Sequence, residues 1–487
     1  MYWSVSFLER KSGVLMHISS LWGEYSSGSF GKEAFEFIDF LKNSGFSYWQ
    51  VLPFVIPDEC NSPYKSYSTF GGNPYFVNLD LLFKDGLLSQ EDLLTAKQGT
   101  PYFCEFDRLK NERVPLLIKA SKNANEELKV KINEFIEENI HIKEFCKFMA
   151  LKTANNEKEW TEWDVKEYSD EIYFGWCFIQ YEFFTQWAKV KKYANENGIS
   201  IIGDIPIYVS FDSADVYYNK KMFLMDEENH LTDVAGVPPD YFSEDGQLWG
   251  NPLYDWAEME KDGFSWWKER LSFALELFDG VRIDHFRGFE SFWAVKGTEK
   301  TAKNGKWVKG PGMKLIKVFN EIKGDKLIIA EDLGDITEDV VKLVNDSGFP
   351  GMRVFQFGFL SMWDTPHRPY NYVNNCVAYS GTHDNNTLLG YLWETPEDMK
   401  RKVMQYCSCN YDRWNEDGCK AIIKTIMASN AGLTIFPIQD LLGYGSDTRL
   451  NVPGRAEGNW LYRTTKEQID NINKQEYKEL NELFGRV

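Results

Sequence analysis

The chain has no uninterrupted apolar run of the roughly 18 residues that a membrane-crossing helix needs, so no bilayer span is expected. It also lacks a G-x-x-x-x-G-K-[ST] phosphate loop and any paired C-x-x-C array. Only six histidines are present, and the eight cysteines (60, 104, 146, 177, 376, 407, 409 and 419) are scattered. A structural zinc site requires four ligands at regular spacing, so the cysteines read as reduced thiols. Positive charge is scarce: 54 Lys and Arg stand against 73 Asp and Glu, for a net charge of −19. Such a surface repels phosphate backbones and anionic lipid, which argues against nucleic acid and membranes as partners. Residues 1–11 show no charged head, apolar centre and small-residue cleavage site. A soluble, cytoplasmic protein is the expectation.

Aromatic residues are the abundant class, with 17 Trp, 25 Tyr and 35 Phe making up 16% of the 487 residues. Large cores account for many of them; a sugar-binding groove would use others, because pyranose C–H faces stack on aromatic planes. Short apolar runs ending in polar residues recur at 13–19, 47–54, 199–209, 280–285, 327–332, 353–357, 377–383 and 433–439. Helical patterns separate most of them. At 181–195, Phe183, Phe184, Trp187 and Val190 fall at helical spacing, and Gly198 supplies a stop. Eight strand-then-helix units predict a single (β/α)8 TIM barrel spanning residues 1–487. The interval between the second and third runs is far longer than one barrel helix requires. It reads as an inserted, mostly helical subdomain over 85–198, preceded by a short extended piece at 73–82.

Catalytic residues of such barrels come from the C-terminal ends of strands, and four of those ends carry acidic residues: Asp204, Asp284, Glu331 and the pair His383-Asp384. Asp204 sits early in its segment, which leaves room for a hydrogen-bonding role inside the barrel mouth. In the segment Gly280-Val281-Arg282-Ile283-Asp284, alternation puts Arg282 and Asp284 on one side of the strand. A guanidinium there keeps a carboxylate ionised, as a nucleophile requires, although a structural ion pair gives the same pattern. Glu331 emerges from the apolar run Leu327-Ile328-Ile329-Ala330, where partial desolvation raises a carboxyl pKa and makes a proton donor. Asp332 reads as a cap or turn residue. Converging carboxylates serve either a divalent-metal site or glycoside cleavage. The acidic balance and the missing phosphate loop weigh against an anionic, metal-bound substrate.

Longer segments narrow the choice. Ser62-Pro63-Tyr64, Gly72-Asn73-Pro74-Tyr75, Val234-Ala235-Gly236-Val237-Pro238-Pro239-Asp240-Tyr241-Phe242, Gly246-Gln247-Leu248-Trp249-Gly250-Asn251-Pro252, Asp447-Thr448-Arg449-Leu450-Asn451-Val452-Pro453-Gly454 and Asn459-Trp460 occur in order with the strand ends. Together they resemble glycoside hydrolase family 77, the amylomaltase or disproportionating-enzyme type of 4-α-glucanotransferase in the α-amylase clan. The resemblance covers nearly the whole chain and is weakest over 85–175. It implies Asp284 as nucleophile, Glu331 as acid/base and Asp384 as the aspartate that stabilises the transition state. It implies Arg282 and His383 as positioning residues at the cleaved sugar, Asp204 as the first-region aspartate and Tyr64 as a platform. Asp240, Tyr241 and Phe242, with Gln247 and Trp249, match a loop overhanging the cleft. For His285 two roles stay open, contact with an acceptor hydroxyl and capping of the strand. The implied reaction moves α-1,4-glucan segments to the 4-hydroxyl of glucose or a maltooligosaccharide by retaining double displacement. No cofactor or metal is implied. A hydrolase using water on the same carboxylates is the nearest alternative.

Overall fold

The computed structural model describes residues 8–239, 244–360 and 364–487. Its strands are β1 (Lys11–Leu15), β2 (Tyr48–Gln50), β3 (Ser200–Ile205), β4 (Asp233–Val237), β5 (Gln247–Pro252), β6 (Gly280–Ile283), β7 (Ser291–Lys296), β8 (Lys306–Lys309), β9 (Leu327–Ala330), β10 (Gly351–Val354), β11 (Cys376–Tyr379) and β12 (Leu433–Pro437). Eight of them close a parallel barrel in the order β1-β2-β3-β6-β9-β10-β11-β12. Each expected apolar run contributes one barrel strand. The strands stop earlier than the runs because the last apolar residues continue into the loops at the mouth. The run at 353–357 is displaced most: its strand begins at Gly351 and Phe355–Phe359 turns into a 3-10 helix, while β1 and β11 begin two and one residues ahead of their runs.

Barrel strands are buried on both faces, inward against the packed interior and outward against helices; β6, β11 and β12 have no exposed residue. Close approach is explicit at Gly203, where a Cβ would lie 2.2 Å from the Phe278 ring. No larger residue fits there without displacing the ring.

Between β2 and β3 the chain is mostly helical, with helices at Val114–Ser121, Glu126–Glu138, Ile140–Ala154 and Asp170–Glu196. The last contains the predicted 181–195 pattern and buries Phe183, Trp187 and Val190. Its end follows the expected chemistry, with Gly198 at φ 76° and the Ile199 N–H donating to Ala194 O at 2.9 Å. Trp187 Nε1 donates to Leu277 O at 3.0 Å, which fixes this helix on the barrel wall. The extended piece expected at 73–82 is instead a 3-10 turn (Pro74–Phe76) followed by a helix (Leu79–Lys84). Asn73 and Asn78 accept from the N–H groups of Tyr75 and Leu81, and these side-chain caps override the apolar pattern.

One element was not anticipated at all. β4, β5, β7 and β8 form an antiparallel sheet in the order β5-β4-β7-β8. Two of its strands follow β3 and two follow β6, so the pairing joins excursions from different barrel loops. Its edge strand β5 carries Gln247 and Trp249. Among the described residues no helix is long and apolar enough to cross a membrane.

Candidate active site

Strand pairing brings the first charged residues together. Asp204 on β3 stands opposite Arg282 on β6, and Asp284 follows Arg282 on the same side. Arg282 Nη1 donates to both Asp204 carboxylate oxygens at 2.9 and 2.7 Å, and Nη2 donates to Asp284 Oδ1 at 2.7 Å. Burial opposes the guanidinium charge, yet Asp204 and Asp284 outweigh it and keep Arg282 protonated. Burial pushes the Asp204 carboxyl up to about 6, with Arg282 pulling it back, so it is ionised at neutral pH. Asp204 Oδ2 also accepts from Tyr64 Oη at 2.7 Å. The enclosed Asp204 thus fixes two side chains at once, the hydrogen-bonding role that its early place in the segment allowed.

Glu331 follows β9 and is 9% exposed. Its Oε2 accepts from the His285 N–H at 2.7 Å and its Oε1 from the Leu333 N–H at 3.1 Å. The first contact is made by a residue in the left-handed region, His285 at φ 50°, a conformation that costs a non-glycine residue about 1–2 kcal/mol. Burial lifts the Glu331 carboxyl to about 8; Arg282 lowers it and Asp284 raises it further. Glu331 therefore holds a proton at neutral pH. The His285 ring packs edge-on against Trp249 at 4.9 Å, and burial pushes its imidazole down to about 4, so it is neutral. Asp332 accepts from the Met352 N–H at 2.6 Å and pairs with Arg353 at 3.0 Å. Those bonds tie the end of β9 to β10, in keeping with a turn residue.

His383 and Asp384 follow β11. Tyr64 stacks on the His383 ring at 5.1 Å, and Trp460 flanks both rings at 5.9 and 5.7 Å. Asp384 is 42% exposed at its side chain, with its Oδ2 3.3 Å from His383 Nε2. Asn451 Nδ2 donates to Asp384 Oδ1 at 2.6 Å. Arg449, Asn451 and Trp460 have no role that the sequence alone assigns, although the segments holding them are part of the resemblance. They lie more than 60 positions from Asp384, and no periodicity connects the two stretches.

Asp284, Asp384, His383, Tyr64, Gln247, Trp249 and Asn451 all line one cleft of about 890 Å³ at the barrel mouth. Asp240, Tyr241 and Phe242 lie outside the described residues. A carboxyl that holds its proton stands near an ion-paired carboxylate, beside an aromatic platform. That combination suits protonation of a leaving oxygen with attack on the adjoining carbon. Among the described residues no cluster of three or more His, Cys, Asp or Glu is arranged to hold a metal ion.

The family model of 4-alpha-glucanotransferases, glycoside hydrolase family 77, matches residues 16–468. The chain belongs to this family. Its relatives include the 4-alpha-glucanotransferase of Clostridium butyricum, 42% identical over 97% of this chain and 100% of its own length. That of Thermus thermophilus is 41% identical over 94% of this chain and 95% of its own. Among solved structures, an amylomaltase from Streptococcus agalactiae in complex with acarbose superposes with a TM-score of 0.94. It is 37% identical and covers 98% of this chain and 100% of its own. As a 4-alpha-glucanotransferase the enzyme acts on α-1,4-glucans, and the cleft at its barrel mouth is the place to look for the chemistry.

Proposed function

We propose that Asp284 is the nucleophile, Glu331 the acid/base and Asp384 the group that stabilises the transition state. Asp284 attacks the anomeric carbon of an α-1,4-glucan while Glu331 gives its proton to the departing 4-oxygen. The products are a shortened glucan and a covalent β-glycosyl ester on Asp284. The 4-hydroxyl of glucose or a maltooligosaccharide then attacks the same carbon, returns its proton to Glu331 and restores an α-1,4 bond. The observation that carries this reading is the contrast between the two carboxyl groups. Burial keeps Glu331 protonated to about pH 8, whereas Asp284 is paired with Arg282 at 2.7 Å. Environments that separate two carboxyls in this way assign the acid and the nucleophile.

Arg282 supports Asp284 in this scheme, with Asp204 as its counter-ion. Tyr64 and His383 form the platform and grip beneath the cleaved sugar. Gln247 and Trp249, which line the cleft, wall the acceptor side. His285 acts through its backbone N–H, which holds Glu331. Incubation with maltotriose followed by oligosaccharide profiling tests the function: transfer gives glucose plus longer oligomers, whereas hydrolysis gives mainly new reducing ends.

Two further outcomes follow from the geometry. Step one needs protonated Glu331, so kcat/KM for maltotriose should fall as pH rises through about 8, approaching about tenfold per pH unit beyond it. A profile flat to pH 10 would remove Glu331 as the acid. Trp249 lines the cleft and packs on His285, so Trp249→Ala should admit water and lose a stacking contact of about 1 kcal/mol. The hydrolysis-to-transfer ratio, read from reducing ends against chain-lengthened products, should rise about fivefold. An unchanged ratio with both rates lowered together would make Trp249 a loop anchor only.

A further inference from the structure

The segment 447–454 enters none of the roles above, yet it grips the end of β11 at several points. The Asn451 N–H donates to His383 O at 3.1 Å, and Arg449 Nη2 donates to Asp384 O at 2.5 Å. Arg449 Nε bonds back to Asn451 O at 2.7 Å, so the two residues hold each other. The remaining contact is to the carboxylate itself, from Asn451 Nδ2 to Asp384 Oδ1 at 2.6 Å. A half-exposed aspartate on a loop would otherwise sample several rotamers. Here its backbone is fixed by donors to the carbonyls of both His383 and Asp384, and one carboxylate oxygen is held by an amide.

We propose that Asn451 and Arg449 are positioning residues that lock Asp384 in one orientation. This rests on the reading of Asp384 as the transition-state-stabilising group. Asn451 leaves Oδ2, the oxygen beside His383 Nε2, as the one available to sugar hydroxyls and developing positive charge. An amide suits this place because it donates without titrating, whereas a carboxylate there would have to share a proton with Asp384. Arg449 adds a cation near the same group. Burial lowers its pKa, and Glu394 and Asp384 oppose that lowering. The groups facing Asp384 are thus His383 on its own strand end, Tyr64 stacked on that His383 ring, and Asn451 and Arg449 from the opposite segment.

The test compares Asn451→Ala, Asn451→Asp and Asp384→Asn in the full-length enzyme, with maltotriose kinetics, pH profiles and thermal melting. Asn451→Ala should lower kcat about 10- to 100-fold, as loss of a charged hydrogen bond in the transition state implies, with KM within about twofold of wild type. Asn451→Asp should move the acid limb of the kcat profile upward by about one pH unit or more, because the adjacent carboxylates share a proton. Its activity should therefore recover in part toward pH 8. Arg449→Lys, which keeps the charge but not the fork, should fall between wild type and Asn451→Ala. Wild-type kcat in folded Asn451→Ala, or an Asn451→Asp profile of unchanged shape, would overturn the proposal. Asp384→Asn is the separate control: near-normal turnover in that variant would mean that the role given to Asp384 is wrong. Its loss of turnover alongside an indifferent Asn451 would confine the failure to the positioning role.

Discussion

Asp284→Asn should lower transfer by about four orders of magnitude or more, the scale seen when a nucleophile is removed from a working constellation. The amide has no anionic oxygen to form a glycosyl ester, so the first step has no covalent path. The fold should survive. Arg282 keeps both hydrogen bonds to Asp204, and the carbonyl oxygen of the new amide can still accept from Nη2. Buried charge therefore stays compensated, and the usual cause of a large stability loss, an unpaired buried ion, does not arise. Maltotriose turnover, the melting temperature and an intact-mass check against deamidation are the measurements. Near-normal turnover in a verified variant would sink the assignment of the nucleophile.

Glu331→Gln should also stop transfer between natural glucans, while leaving glycosyl-enzyme formation possible from a donor with a good leaving group. A glucosyl fluoride departs with little protonation, so the first step needs only Asp284. The second step then lacks its base, and the ester should accumulate on Asp284, visible by mass spectrometry after quenching. An adduct on another carboxylate would mean that the two roles are exchanged. The same variant has a stability signature. Glu331 is lifted from 4.5 to about 8 in the folded state, so the native protein binds a proton that the unfolded chain has released between those pH values. The wild type consequently loses stability as pH rises through that window, and glutamine, which does not titrate, escapes the loss. The melting temperature of Glu331→Gln relative to wild type should therefore climb from pH 4.5 to pH 8. A difference independent of pH would show that Glu331 is not held neutral by burial.

How much of this was legible in sequence depends on the range of the interaction. Arg282 and Asp284 are two residues apart on one strand, and alternation alone places them side by side. The apolar run before Glu331 announces a desolvated carboxyl, and the 181–195 part of the helix Asp170–Glu196 is written in its own spacing and in Gly198. The antiparallel sheet could not be read in this way, because β4 pairs with β7 across the whole of β6. Asn73 and Asn78 did carry a local signal, as helix caps, but the apolar stretch around them concealed it.

The sequence by itself determined the barrel, the order of its strands and the four strand ends that carry acid. Those features depend on short-range periodicity and on the burial that periodicity dictates. Tertiary structure decided which oxygen faces what. Asp204 became the buried anchor of Arg282 and Tyr64, His285 took a left-handed backbone to hold Glu331, and Asn451 closed on Asp384 from 67 positions away. Hydrogen bonds are directional and only a few ångströms long. Their partners are fixed only once the barrel has closed and set those groups within reach.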